Sequence, residues 1–256
     1  MNLVTKAKVL IIVVICFIVG FVLGLLGEEI LEILEEDEEG NGYEYFKDPY
    51  DPKIEPSNFI SGVNHTYFPL IIGKKYIYEG DTGDGLEHVE VIVTNQTRVV
   101  MGVTCMVVRD TVSMDGEIIE DTYDWYAQDI HGNVWYMGED SKEYEEGETV
   151  STEGSWEAGI DGAKPGIIML AKPIEGLYYR QEFYKGEAED MGAIIKMNDL
   201  KTVKYGSFDN VLVIKDYTPL EPGIAEYKYF APGIGVICEE VVEGGSGQIE
   251  LIGIVS

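Results

Sequence analysis

From Asn58 to the C-terminus the sequence sustains no helical period. It advances in short β-prone runs broken by turn residues at roughly 8–14-residue intervals. Alternation is clearest in Glu87-His88-Val89-Glu90-Val91-Ile92-Val93 and in Thr122-Tyr123-Asp124-Trp125-Tyr126. The spacing predicts strands at 75–79, 87–94, 104–112, 118–128, 134–137 and 149–156, then at 178–184, 193–197, 210–216, 226–230, 236–242 and 249–254. Turn signals separate them: Asp115-Gly116, His131-Gly132-Asn133, Glu146-Gly147, Asp161-Gly162 and Glu243-Gly244-Gly245. A brief helical turn is expected near 187–192. Such a chain folds as an all-β antiparallel meander, either a curved open sheet or half-barrel or a sandwich, with sequence neighbours paired in space.

The N-terminus obeys different rules. Residues 9–26, opening at Val9 and closing at Leu26, carry no charge, and at about 1.5 Å per residue form a helix of roughly 27 Å, close to the hydrocarbon thickness of a bilayer. A cleaved signal would have a shorter apolar core and small residues before the cut, and neither is present. The run therefore reads as an uncleaved transmembrane anchor in the lipid bilayer. Lys6 and Lys8 place its start in the cytoplasm and the bulk of the chain outside the membrane, extracellular or periplasmic. Gly20 and Gly24 form a Gly-xxx-Gly pair through which two such helices could pack.

The organisation that follows is anchor and acidic helical stalk over 1–39, a proline- and aromatic-rich linker over 40–57, and an extracytoplasmic β domain over 58–256. Residues 28–39 include eight acids interleaved with Ile30, Leu31, Ile33 and Leu34, whose helical spacing leaves a stripe that wants a protein partner. The formal charge of −29 repels phosphate backbones and argues against nucleic acid as a partner. Of three cysteines, Cys16 falls in the anchor; Cys105 and Cys238 lie in apolar runs, to pair in an oxidising exterior or to stay as small buried residues. His65, His88 and His131 stand apart in polar or turn contexts and read as surface residues.

Four aromatics form the main candidate ligand site: Tyr123 and Trp125 share a strand face, the turn at Gly132 brings Trp135 near it, and Trp156 follows. On a concave sheet they suit an amphiphilic or glycan ligand; in a packed domain they are ordinary core. Acid-rich loops, with Asp81 and Asp84 in the first, offer oxygens to calcium but lack the spaced calcium-loop pattern, and no other cofactor is expected. Asp121, Asp124, Glu153 and Glu157 supply carboxylates of the kind glycoside hydrolysis uses, although among 47 acids such neighbours arise by chance. No nucleophile motif or phosphate-cradling loop is present, so no catalytic residue is assigned. Asn64 and Asn95 fit the glycosylation acceptor pattern.

Three segments carry a resemblance. Residues 122–129 with 132–136, the run Gly154-Ser155-Trp156-Glu157-Ala158-Gly159, and Tyr229-Phe230-Ala231-Pro232-Gly233-Ile234-Gly235-Val236 resemble an uncharacterised family of exported prokaryotic proteins, over about Tyr67 to Val242. The last segment also looks like the final hairpin of envelope proteins with half-barrel folds similar to the lipoprotein carriers. The resemblance implies a concave β-sheet outside the membrane and brings no activity. The reading expected from sequence is a non-enzymatic, membrane-anchored interaction module, an accessory to a membrane or envelope complex. A receptor or carrier for an amphiphilic or glycan ligand is the alternative, and a carboxylate-dependent hydrolase the third.

Overall fold

The computed structural model describes residues 49–81 and 85–256. The anchor, the stalk, Gly20, Gly24 and Asp84 lie outside the described residues; among those described, no helix is long and apolar enough to cross a membrane.

Among the described residues helix is almost absent: Pro56–Asn58 make one short 3-10 turn. The strands are β1 (Val63–His65), β2 (Phe68–Leu70), β3 (Lys75–Asp81), β4 (Leu86–Val100), β5 (Val103–Met114) and β6 (Glu117–Gln128). They continue through β7 (Val134–Glu145), β8 (Glu148–Ser151), β9 (Trp156–Glu157), β10 (Lys164–Met169), β11 (Tyr178–Arg180) and β12 (Glu182–Phe183). The last five are β13 (Met191–Val203), β14 (Gly206–Tyr217), β15 (Ala225–Ala231), β16 (Gly235–Glu243) and β17 (Gln248–Val255). Ten of the twelve expected runs fall in single strands, those at 149–156 and 178–184 are each split between two, and every pairing between named strands is antiparallel. The long hairpins turn where the sequence offers residues that tolerate positive φ: Asp115 and Gly116, at 53° and 85°, join β5 to β6 as a two-residue primed turn requires. Asn198 and Asn210, both at positive φ, mark irregularities along the β13–β14 pair.

The main sheet runs β11-β13-β14-β15-β16-β17-β3-β4-β5-β6-β7-β10-β12, with β8 and β9 added onto β7. Its two ends are consecutive in the chain. β11 and β12 are separated only by Gln181, so residues 178–183 pair with β13 through their first half and with β10 through their second. The sheet is thereby nearly closed into a barrel. Glycine makes this seam possible: a Cβ on Gly166 of β10 would lie 2.2 Å from the backbone of Gln181.

The structure departs from the sequence reading in particular places. Residues 187–192 form no helical turn; Tyr184 and Ala188 pair across a tight turn, the Glu189 carboxylate accepts from the Gly186 N–H at 2.9 Å, and β13 begins at Met191. The expected strand at 149–156 breaks into β8 and β9. β10 is hidden in the sequence by Pro165-Gly166, residues that ordinarily interrupt strands but here sit where backbone must approach closely. His65 is buried rather than exposed, its Nδ1 accepting from the Tyr67 N–H at 3.1 Å, and burial lowers its pKa. Cys105 and Cys238 are both free and buried, their thiols pushed up to about 12 by desolvation.

Candidate functional site

Strand alternation gives the barrel an inner face, and that face has two characters. β3 and β4 turn Tyr76, Tyr78, Val89, Val91 and Val93 inward as an apolar, aromatic wall. The other strands set acids into it: Asp110 on β5, Asp124 on β6, Asp216 on β14 and Glu239 on β16, with Glu182 and Asp190 near the seam. Lys228 on β15 is the single basic side chain lining the cavity among the described residues. Between the two walls is a cavity of about 170 Å³, room on the order of ten waters.

One end is crossed by the β1–β2 hairpin. Asn64 ties it to the end of β6 through the Gln128 side chain, by bonds of 2.8 and 2.9 Å. On the far side, the Gly233 N–H donates to the Thr66 carbonyl at 2.7 Å and the Tyr67 hydroxyl to the Asn210 carbonyl at 3.0 Å. Phe68 and Leu70 then cover the cavity, Phe68 meeting Tyr126 edge-on with ring centroids 5.1 Å apart.

The acids are held unequally. Lys228 Nζ is 3.1 Å from Asp216 and 3.2 Å from Glu226, and the Gln181 amide donates to Asp216 at 3.1 Å. Asp124 accepts from the Tyr136 hydroxyl at 2.6 Å, and Glu182 from the Trp156 indole N–H at 2.7 Å. Asp110 Oδ1 and the Tyr76 hydroxyl, by contrast, are buried without a hydrogen-bond partner. Desolvation is the largest influence on the interior acids. It raises Asp110, Glu139 and Glu182 well above the usual carboxylate range and lifts Asp124 despite the Tyr136 bond. Asp216 and Glu239 are also raised by burial, with Lys228 pulling both back, and Glu120, behind the cavity, is pushed up to about 7.

The four aromatics singled out from sequence are not brought together as a ligand wall. Tyr123 lies under the Arg109 guanidinium, and Trp125 under that of Arg98, 3.9 Å from its ring centroid. Trp135 donates its indole N–H to Asp129 at 2.9 Å and packs against Phe59. Trp156 alone reaches the cavity lining, through Glu182 and an edge contact with Tyr136. The carboxylates considered for hydrolysis are also dispersed. Asp121 is doubly bonded by Arg109 at 2.7 and 2.9 Å, Glu157 pairs with Arg98, Glu153 is exposed, and Asp124 alone faces inward. Asp81 is exposed at the end of β3; among the described residues no three His, Cys, Asp or Glu gather in a metal-holding group. Asn64 and Asn95 are exposed.

Sequence reasoning missed Asp110, Lys228, Glu239, Tyr76 and Tyr126. A signal existed: charges at every second position within apolar strands, as in Glu226-Tyr227-Lys228-Tyr229-Phe230, and an acid directly following Val107-Val108-Arg109.

Fold and cavity together define a nearly closed antiparallel β-barrel with a half-apolar, half-acidic interior. No protein-family model matches the chain, nor does any curated protein. Two solved structures are similar. One, from Bacteroides fragilis, is described as an exported protein with a YmcC-like fold; it is 14% identical, with 75% of this chain and 100% of that chain covered at a TM-score of 0.44. The other, described as a lipoprotein from Parabacteroides distasonis, is 13% identical, with 75% and 99% covered at a TM-score of 0.41.

Proposed function

We propose that this protein is a membrane-tethered receptor or carrier that takes an amphiphilic ligand inside its barrel, on the extracytoplasmic side, without catalysing a reaction. The observation that carries this reading is the cavity of about 170 Å³ with its wall of Tyr76, Tyr78 and β4 valines. A module acting only through its outer surface has no need of a void, because unfilled interior forfeits packing. The covering hairpin supports the same reading, since it separates the void from one mouth of the barrel. The apolar segment 9–26 would hold the domain at the bilayer, within reach of ligands that partition there.

Full-length protein in lipid nanodiscs, titrated with 1-octanol and followed by tryptophan fluorescence, tests the binding function. Saturable binding above that of empty nanodiscs is expected, weakened at least tenfold by Val91→Trp, which fills the void. Equal signals from the two proteins would sink the reading. Protease treatment of spheroplasts, stripped of any outer envelope, tests the orientation: a β domain that stays protected would overturn it.

A further inference from the structure

Resting on that reading, we infer that the cavity recognises an amphiphilic amine, its apolar body against the β3–β4 wall and its ammonium group among Asp110, Asp124 and Glu239.

The first ground is an excess of carboxyl groups over ammonium groups inside a water-poor space. Six carboxyl groups line the cavity (Asp110, Asp124, Glu182, Asp190, Asp216 and Glu239) against one ammonium, that of Lys228. Lys228 is already engaged by Asp216 and Glu226 at 3.1 and 3.2 Å, and it illustrates how this interior holds a primary ammonium, between two carboxylates. Asp110, Asp124 and Glu239 share the charge of that one ammonium with them.

The second ground is independent of the acid count. The Tyr76 hydroxyl belongs to a side chain only 5% exposed, lines the cavity and has no hydrogen-bond partner; Asp110 Oδ1 is likewise unpartnered. Leaving buried polar atoms unsatisfied costs about 1–3 kcal/mol each, a cost a ligand with N–H donors would remove at Asp110. An ammonium has three donors and no acceptor, matching the acceptors around it.

Other ligand classes fit worse. An anion would meet six acids and a lysine that is already paired. A neutral alcohol could satisfy one hydrogen bond but would form no ion pair with a carboxylate. A compact hydrated metal ion would make no use of the Tyr76–Tyr78–Val91 wall, whereas an alkyl amine uses both walls at once.

The test uses the full-length chain in nanodiscs at pH 7.5, with octylammonium, 1-octanol and octyl sulfate as probes of equal chain length, corrected for uptake by empty nanodiscs. Octylammonium is expected to bind at least tenfold more tightly than octanol, and octyl sulfate more weakly than both. Asp110→Asn should shrink the octylammonium-to-octanol ratio at least threefold, while Glu153→Gln, an exposed acid, keeps the ratio of the original chain. If octanol and octylammonium bind equally, or the sulfate binds best, the cationic specificity falls and the carrier reading stands. If none binds, both fall. Should Asp110→Asn fail to fold, the ranking of the three probes on the unmodified chain decides the matter alone.

Discussion

Lys228 is the residue on which the interior electrostatics turn, because two buried acids depend on it directly and Asp110, Asp124 and Glu239 feel its field. Replacing it by methionine keeps the apolar stem and strands Asp216 and Glu226. Urea unfolding of Lys228→Met at pH 8 is expected to give a loss of about 3–5 kcal/mol, as for other broken buried pairs, with part of the loss recovered near pH 5 as Asp216, raised by burial, takes up a proton. Equal losses at both pH values would show that the stranded Asp216 charge is not what the substitution costs. At this scale the sequence was readable in type and ambiguous in direction. Alternation identifies two faces on β6, but Tyr123 and Trp125 on one and Tyr126 on the other are all aromatic, and hydrophobicity does not say which points inward. The outer face is itself buried under Arg98 and β9, so Trp125 is only 4% exposed although it looks away from the cavity.

Among elements, the narrow place is the seam. Five residue pairs hold residues 178–183 to both neighbours, whereas β4 and β5 share eleven. Gly166→Ala drives a methyl into the Gln181 backbone at 2.2 Å and should cost roughly 3 kcal/mol or more by thermal unfolding. Gly206→Ala, which meets nothing within 4 Å, should stay within about 0.5 kcal/mol. Similar melting of the two variants would show that the seam tolerates separation. Long hairpins were legible because local pattern and turn chemistry agree: alternating 118–128 follows Asp115-Gly116 directly. β10 was not, since Lys164-Pro165-Gly166 has the composition of a loop and is a strand only because the returning chain lies across it.

For the molecule as a whole, the raised interior acids set a direction for stability against pH. Glu120 moves from 4.5 to about 7, and Asp110, Asp124, Glu139, Glu182 and Glu239 move upward with it. A folded-state pKa above the unfolded value means the folded chain binds more protons in between. The contribution is fully present below about 4.5 and is lost as pH rises through about 7. The protein without ligand should therefore melt several degrees higher at pH 5 than at pH 8, roughly 2–4 °C per kcal/mol at this size. A flat or opposite profile by calorimetry would contradict the interior charge arrangement. The sheer excess of acid, −29 overall, was plain in the sequence, but it predicts only a solvated surface; that several acids face inward depends on closure, a property of pairings far apart in the chain.

The seam has one more consequence. Gln181, 4% exposed, is out of reach of proteases in the intact ring. New chain termini placed there by circular permutation would release both margins of the sheet in one stroke, leaving each molecule with two unsatisfied borders of complementary direction. Solitary barrels would then be expected to link side by side into chains, visible as growing species on a sizing column.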